Sequence, residues 1–153
     1  MFNVVLVEPE IPPNTGNVAR LCLATGSRLH LVEPLGFSIN DRQLRRAGMD
    51  YWDQVDLMYW KNLVEFERAT RSPARRFLLT TKSTRNYWDA NFREGDYLVF
   101  GRETKGLPES LLSSDPENCL TVPMICGARS LNLATAVAIV LFEGVRQLHF
   151  HRE

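Results

Sequence analysis

Arg20 is the first residue of this sequence whose type and setting could do chemistry. It follows Asn17 by three positions, so the two side chains share one face of the helix predicted from the residues after Pro13 to about Thr25. Its immediate neighbours are apolar, and an arginine in such a setting usually pairs with an anion. That anion is either a carboxylate of this chain, such as Glu103, or the phosphate of a substrate.

A second polar cluster, Gly101-Arg-Glu103-Thr-Lys-Gly106-Leu-Pro108, follows an apolar run in the middle of the chain. It begins like a phosphate-binding loop, but Leu-Pro stands where a Walker A motif requires Lys-Ser or Lys-Thr. No G-x-G-x-x-G motif is present either, so ATP and NAD binding lose their usual support. The cluster predicts either a strand end at Gly101, where the backbone can approach a flat ligand, or an ordinary strand–turn–helix link.

A third cluster, Val122 to Leu133, precedes the last helix. Ser130 is predicted to be the N-cap of that helix, where its hydroxyl and the free N–H groups would hold an acceptor-rich ligand or serve only as a cap. Arg129 lies beside it. Asn132 is predicted one turn into an otherwise apolar helix, where a buried amide is either ligand-facing or part of a hydrogen-bond network.

Alternating strands and helices must position these clusters. The predicted strands are Phe2–Val7, Leu29–Val32, Val55–Trp60, Arg76–Thr80, Tyr97–Phe100 and Leu120–Pro123. Five helices are predicted. The first has Asn14 as its N-cap and runs to Thr25, and the second is short and basic, is capped by Asp41 and ends at Gly48. The other three are Lys61–Thr70, a short helix from Pro108 to Leu112, and Ser130–Gln147. This alternation predicts an α/β fold with a mainly parallel sheet covered by helices on both faces. Ligands of such folds bind where strands lead into helices, so the three clusters predict one composite site.

Length and composition narrow the domain count and the classes of function that this chain can have. The 153 residues predict a single domain, residues 1–153. Eighteen basic and eighteen acidic residues cancel, which argues against nucleic-acid binding through bulk charge but allows local patches. Such patches are the clusters Arg42, Arg45 and Arg46, then Arg71, Arg75 and Arg76, then Lys82 and Arg85.

The remaining signals concern compartment and assembly. Three widely spaced cysteines predict neither disulfides nor a metal site, and they fit a cytoplasmic protein. The sequence predicts no signal peptide and no membrane span. The last helix is apolar on most sides, which predicts either a homodimer interface or simple burial against the sheet.

The three clusters, in this order, resemble the SPOUT class of S-adenosylmethionine-dependent RNA methyltransferases. More closely, the chain resembles the small single-domain tRNA ribose 2'-O-methyltransferases that act on the wobble nucleotide. The resemblance extends from Glu8-Pro-Glu-Ile-Pro-Pro-Asn14-Thr-Gly16-Asn17 to Glu143. It includes Leu44-Arg45-Arg46-Ala-Gly48-Met-Asp50-Tyr51 and Thr80-Thr81-Lys82.

The resemblance implies a C-terminal trefoil knot, a homodimer and S-adenosylmethionine as methyl donor, without a metal. It implies a catalytic role for Arg20 and a tRNA anticodon stem-loop as partner, with no DNA because the acceptor is the 2'-hydroxyl. The implied cofactor contacts are Leu79, Thr80, Gly101, Val122, Met124, Ser130 and Leu131. Substrate binding is assigned to Asn17, Arg45, Arg46, Glu103, Arg129 and Asn132.

The acceptor hydroxyl needs either a base or a stabiliser of the alkoxide that forms. A guanidinium rarely releases its proton, so we expect Arg20 to clamp a phosphate and stabilise the alkoxide. Tyr51, Trp52 or Trp88 could stack on the wobble base, or serve as core or interface residues. Two alternatives are a non-catalytic RNA-binding SPOUT relative and a flavodoxin-like nucleotide-binding regulatory domain. The sequence does not distinguish cytidine from modified uridine.

Overall fold

The computed structural model describes residues 1–150, apart from the side chains of residues 47–50 and 150. The strands are β1 (Asn3–Val7), β2 (Arg28–Val32), β3 (Leu57–Trp60), β4 (Arg76–Leu79), β5 (Tyr97–Phe100) and β6 (Cys119–Leu120). The helices are α1 (Pro12–Thr25), α2 (Arg42–Gly48), α3 (Leu63–Thr70), α4 (Glu109–Ser114) and α5 (Leu133–Phe150). Three 3₁₀ helices span Met49–Gln54, Tyr87–Asp89 and Pro116–Asn118. All six predicted strands are confirmed, although β6 is shorter than expected.

The six strands form one sheet in the order β3-β2-β1-β5-β4-β6. Every pairing between these strands is parallel, and the central strand β1 pairs with both β2 and β5. In this register Val4 of β1 lies between Leu29 and Leu98. Because the strands are parallel, their carboxyl ends meet at one edge of the sheet. The loops that carry all three polar clusters therefore leave the sheet from the same edge.

Helices cover both faces of the sheet, as the sequence predicts. Side chains alternate across a strand, so Val4 and Leu6 of β1 join one core cluster while Val5 and Val7 join the other. The first cluster takes its helical residues mainly from α1 and α5, and the second takes Phe66 from α3 and three residues around α4. The parallel sheet with helices on both faces is thus confirmed.

The starts of α1, α3, α4 and α5 differ from the sequence predictions, and α3 begins at Leu63 where Lys61 was predicted. Helix α1 begins at Pro12 with Ile11 as its N-cap, so the prediction that Asn14 is the cap is wrong. Proline is favoured in the first turn because its missing N–H would have no partner there. Helix α4 begins at Glu109 with Pro108 as its N-cap, so the predicted start at Pro108 is one residue too early. The prediction that Asp41 caps α2 is confirmed, since Asp41 Oδ1 accepts from the N–H of Gln43 at 2.8 Å.

Candidate functional site

A cleft of about 620 Å³ opens at the carboxyl edge of the sheet. The loops that follow β4, β5 and β6 and the start of α1 form its walls. The lining residues are Ile11, Asn14, Leu79–Lys82, Phe100–Leu107, Thr121, Val122, Met124, Arg129–Leu133 and Ala136. Segments from all three polar clusters therefore meet at one cleft, as the parallel sheet predicts, and the use of this cleft as a composite binding site stays a prediction.

The structure brings all of the predicted cofactor residues to this cleft. Leu79 and Thr80 come from the end of β4, Gly101 from the end of β5, and the others from the segment between β6 and α5. That last segment supplies Val122, Met124, Ser130 and Leu131. Their proximity agrees with a shared binding role, and the role itself stays a prediction.

Gly101 is needed for a reason that differs from the one the sequence suggested. A Cβ at this position would overlap the carbonyl carbon of Gly106 and the nitrogen of Leu107. The intervening residues form a tight loop, closed by hydrogen bonds from Arg102 N to Gly106 O at 3.2 Å and from Gly106 N to Arg102 O at 2.9 Å. Gly106 itself has a φ of 66°. Glycine at position 101 therefore lets the loop fold back on itself, which shapes the wall of the cleft.

The carboxylate of Glu103, in the loop after β5, holds the segment just before α1. It accepts from the N–H groups of Glu10 at 2.8 Å and Ile11 at 3.1 Å, and from Asn14 Nδ2 at 3.4 Å. Ile11 has no side chain that could cap the helix, and a negative charge is favoured at a helix N-terminus. Glu103 thus lines the cleft, but these bonds engage its carboxylate within the chain, and its predicted substrate contact stays a prediction.

A second contact joins the same two segments, and in this one Glu10 is the acceptor and the loop after β5 supplies the donors. Its carboxylate accepts from the N–H of Thr104 at 3.2 Å and from Thr104 Oγ1 at 2.6 Å. These two hydrogen bonds, that of the hydroxyl first, lower the pKa of the Glu10 carboxyl below its usual value. The loop after β5 and the segment before α1 are therefore joined by bonds in both directions.

Asn132 stands before α5 and not inside it, so the predicted helix start at Ser130 is wrong. Its Oδ1 accepts from the N–H of Thr135 at 3.3 Å, which is the geometry of a helix cap. Its Nδ2 donates to Asn14 Oδ1 at 2.9 Å. The structure shows the predicted hydrogen-bond network, and because Asn132 also lines the cleft, its substrate contact stays a prediction.

Ser130 consequently does not cap α5, because the helix begins three residues later, at Leu133. The argument that its hydroxyl and the first free N–H groups of α5 would act together therefore fails. Ser130 and Arg129 are both exposed and both line the cleft. They could contact a ligand from this loop directly.

Arg20 and Asn17 are exposed on α1, outside the lining of the cleft. The guanidinium carbon of Arg20 is 5.9 Å from the centroid of the Tyr51 ring. None of the carboxylates whose side chains are described forms a salt bridge with Arg20, so the predicted alternative of a pair with Glu103 is not observed. Arg45 and Arg46 are exposed on α2, which packs against α1.

Several cations near the cleft were not predicted as site residues. Lys82 and Lys105 both line it, and Lys82 pairs with Glu109 at the start of α4. Arg102 lines it as well, with its Nε 3.5 Å from Glu8 Oε2. Their positions in the sequence could have indicated a place in the site, because each of these cations follows the end of a predicted strand. Within the described part of the chain, no group of three His, Cys, Asp or Glu side chains could hold a metal.

The fold is that of an α/β protein with a cleft at the carboxyl edge of a parallel sheet. Residues 1–142 match the SpoU rRNA Methylase family, and the chain belongs to that family. A tRNA (cytidine(34)-2'-O)-methyltransferase of Burkholderia pseudomallei strain 1106a is 51% identical over 152 residues, which cover 98% of this chain and 97% of that relative.

Solved structures agree with this assignment. One described as "Structural insights into the 2-OH methylation of C/U34 on tRNA" superposes with a TM-score of 0.93 at 46% identity and covers 97% of each chain. An AdoMet-bound rRNA methyltransferase from Sinorhizobium meliloti gives a TM-score of 0.86 at 26% identity, over 96% of this chain and 56% of that one. None of the described helices has the length and apolarity needed to cross a membrane.

Proposed function

We propose that this protein transfers a methyl group from S-adenosylmethionine to the ribose 2'-oxygen of the wobble pyrimidine of tRNA, a cytidine or a modified uridine. The observation that carries this proposal is 51% identity, over nearly the whole chain, to a relative named tRNA (cytidine(34)-2'-O)-methyltransferase. The cleft that the three clusters form also supports the proposal, because it offers a place where the reaction can occur.

The cleft suits S-adenosylmethionine in size and chemistry. Its volume of about 620 Å³ lies within the range of small-molecule sites. Leu79, Val122 and Leu131 offer apolar contacts for an adenine ring, and Thr80 offers a hydroxyl and backbone groups for the polar parts. Cations at the rim, among them Lys82 and Arg129, match the carboxylate of the methionine part. When bound, this cofactor supplies a methyl group that is already activated on a sulfonium.

Because the donor is activated, the protein must align the acceptor oxygen and stabilise the charge that develops on it. In this proposal Arg20 clamps a phosphate beside the wobble nucleotide and donates hydrogen bonds to the alkoxide. An arginine side chain is a poor base, since it does not lose its proton in proteins. The proton therefore leaves to a phosphate oxygen or to solvent.

The anticodon stem-loop is held by local positive charge in a chain without net charge. Arg45 and Arg46 are exposed on α2, beside the helix that carries Arg20, and can contact phosphates. Asn17 lies on α1 one turn before Arg20 and can contact the same strand. Arg129 at the rim of the cleft can reach a nucleotide placed over the cofactor. Because the acceptor is the 2'-hydroxyl, DNA is not a substrate.

The proposal extends to assembly. We infer one catalytic domain over residues 1–153, a C-terminal trefoil knot through the segment after β6, and a cytoplasmic homodimer. The knot rests on the resemblance to SPOUT proteins. The homodimer has support in the surface of the C-terminal part, where Ile125, Leu131 and Phe142 are exposed apolar residues.

Methyl transfer to total bacterial tRNA tests the proposed function. Purified protein is incubated with tRNA and labelled S-adenosylmethionine, and the tRNA is digested to nucleosides and mapped. The expected product is a 2'-O-methylated pyrimidine at the first anticodon position. A thermal shift with S-adenosylhomocysteine, but not with ATP or FMN, checks the cofactor class separately. Cofactor binding with no methyl transfer to any tRNA would favour the non-catalytic alternative.

A further inference from the structure

Tyr51 is an exposed aromatic residue whose ring lies against the guanidinium of Arg20. The distance of 5.9 Å from Arg20 Cζ to the ring centroid is within cation–π range. Tyr51 is 43% exposed, so burial in the core does not explain the residue. We propose that Tyr51 is a positioning residue that orients the Arg20 guanidinium toward the acceptor nucleotide. This inference rests on the proposed function, in which Arg20 contacts that nucleotide.

An aromatic partner suits an arginine that must bind an anion. A carboxylate would occupy the N–H donors of Arg20 and offset its charge. A ring face contacts the guanidinium plane, takes none of these donors and leaves the positive charge in place. The described carboxylates form no salt bridge with Arg20. The guanidinium therefore stays available for a phosphate, while the ring of Tyr51 restricts the orientation of the side chain.

The backbone on either side of this contact is anchored in the core. Tyr51 belongs to the 3₁₀ helix Met49–Gln54, and the next residue, Trp52, is 7% exposed. Trp52 lies in the same core cluster as Val18 and Ala19 of α1, the two residues before Arg20. This 3₁₀ helix also packs against α1, so the backbone segments that carry Tyr51 and Arg20 are both held by the same core.

Two variants test whether the aromatic ring of Tyr51 is the part of the side chain that matters. Tyr51→Phe keeps the ring, whereas Tyr51→Leu removes its cation–π contact. We expect Tyr51→Leu to lower kcat for tRNA methylation roughly 3- to 30-fold. We expect Tyr51→Phe to stay within about twofold of the unsubstituted protein, and S-adenosylhomocysteine to bind both variants with unchanged affinity. The matched control is Tyr59→Leu, the same change at a tyrosine that is 42% exposed on β3, and it should retain full kcat.

A double-mutant cycle tests whether Tyr51 acts through Arg20. In an Arg20→Ala background, measured in single turnover with excess enzyme, Tyr51→Leu should cause no further loss. An equal loss in both backgrounds would overturn the inference and indicate that Tyr51 stacks on the RNA directly. Full activity of Tyr51→Leu, or a Tyr51→Phe variant as defective as Tyr51→Leu, would also overturn it. If the Arg20→Ala rate is below detection, the KM of Tyr51→Leu for tRNA decides. Loss of a direct stack on the RNA would raise KM and overturn the inference, whereas loss of Arg20 orientation lowers kcat and leaves KM nearly unchanged.

The same experiments distinguish this inference from the proposed function. If the unsubstituted protein methylates tRNA and Tyr51→Leu does so equally well, only the role of Tyr51 is refuted. If the unsubstituted protein transfers no methyl group to tRNA, the proposed function is refuted and the role of Tyr51 is refuted with it.

Discussion

Asn132 Nδ2 donates a hydrogen bond to Asn14 Oδ1 at 2.9 Å, across a sequence separation of 118 residues. Asn14 in turn donates to Glu103 at 3.4 Å. These three residues come from the three polar clusters, so the hydrogen bonds join the start of α1, the loop after β5 and the start of α5. The cleft is bounded by this connected frame and not by three independent loops.

Asn14→Ala should lower the free energy of unfolding by about 0.5–1.5 kcal/mol, because it removes the hydrogen bonds that the buried Asn14 amide makes to Asn132 and Glu103. Asn14 is only 6% exposed, so water cannot easily replace the amide. Urea unfolding at one protein concentration measures the loss. The control is Asn17→Ala, an exposed position on the same helix, which should change stability by less than about 0.5 kcal/mol. Equal stabilities for the two variants would contradict the frame.

Gly101→Ala should lower the affinity for S-adenosylhomocysteine at least about tenfold, since a Cβ overlaps backbone that cannot shift without opening the loop. Isothermal titration calorimetry measures this affinity. Gly26→Ala is the control because its Cβ meets open space and only the left-handed φ of 65° is strained. That strain should cost about 1–2 kcal/mol of stability and leave cofactor affinity unchanged. Normal affinity in Gly101→Ala would show that the loop does not shape the site.

Arg20→Lys should lower kcat at least about tenfold while the affinity for S-adenosylhomocysteine stays unchanged. Lysine keeps the charge but loses the planar fork that can contact a phosphate and an alkoxide together. Single-turnover methylation of tRNA gives the rate. Retention of most of the rate would mean that Arg20 acts as a point charge, and full activity in Arg20→Ala would exclude both roles.

Phe142→Asp should shift the protein from dimer to monomer in sedimentation velocity. Phe142 is 48% exposed on α5, and a carboxylate there would be buried without a partner in the proposed interface. Val64→Asp is the matched control, because Val64 is 61% exposed on α3, outside the C-terminal part of the chain. Identical sedimentation of both variants and the unsubstituted protein would place the interface elsewhere.

His30 should make the protein sensitive to mild acid. Trp60 Nε1 donates to His30 Nδ1 at 3.0 Å, so the ring proton lies on Nε2, which is 2.9 Å from Asn3 Oδ1. Burial first, and then the charge of Arg28, lower the pKa of His30 to about 4, while Asp56 opposes this shift. Protonation would place a donor against the Trp60 N–H and disrupt the pair.

The sign of the pH dependence follows from this lowered pKa. Between about pH 6.5 and 4 the unfolded chain binds more protons at His30 than the folded protein does. Stability should therefore fall as the pH drops through this window, by up to about 1.4 kcal/mol per pH unit from this group. Denaturant unfolding across the window measures it. His30→Gln should show a flatter profile, whereas exposed His149→Gln should keep the original slope. An unchanged slope in His30→Gln would contradict this account.

Much of the fold could be predicted because local signals and tertiary structure agree. The runs that form β1, β2 and β5 are short, apolar and bounded by polar loops, and each became a buried strand. Asp41 caps α2 because its acceptor and the N–H of Gln43 are close in sequence. The convergence of the clusters followed from parallel strands, which place all their carboxyl ends at one edge.

The errors arose where the partner of a group is distant in sequence. Asn14 and Ser130 were predicted as caps by local rules, but the segment before α1 is held by Glu103 and the start of α5 is capped by Asn132. Cap rules consider the nearest polar residue and cannot foresee a carboxylate some ninety residues away, as is the case for Glu10 and Glu103. The contact between Arg20 and Tyr51 could likewise not be predicted from the sequence, because it depends on how α2 and the following 3₁₀ helix pack against α1.

The most direct test of the central claim is methyl transfer to two full-length tRNAs that are identical except at the wobble ribose. One carries the natural 2'-hydroxyl, and the other carries a 2'-deoxyribose at that single nucleotide. With labelled S-adenosylmethionine, we expect the purified protein to methylate the first tRNA and to leave the second unlabelled. Equal labelling of both tRNAs would place the methyl group on another atom and contradict the proposed 2'-oxygen acceptor.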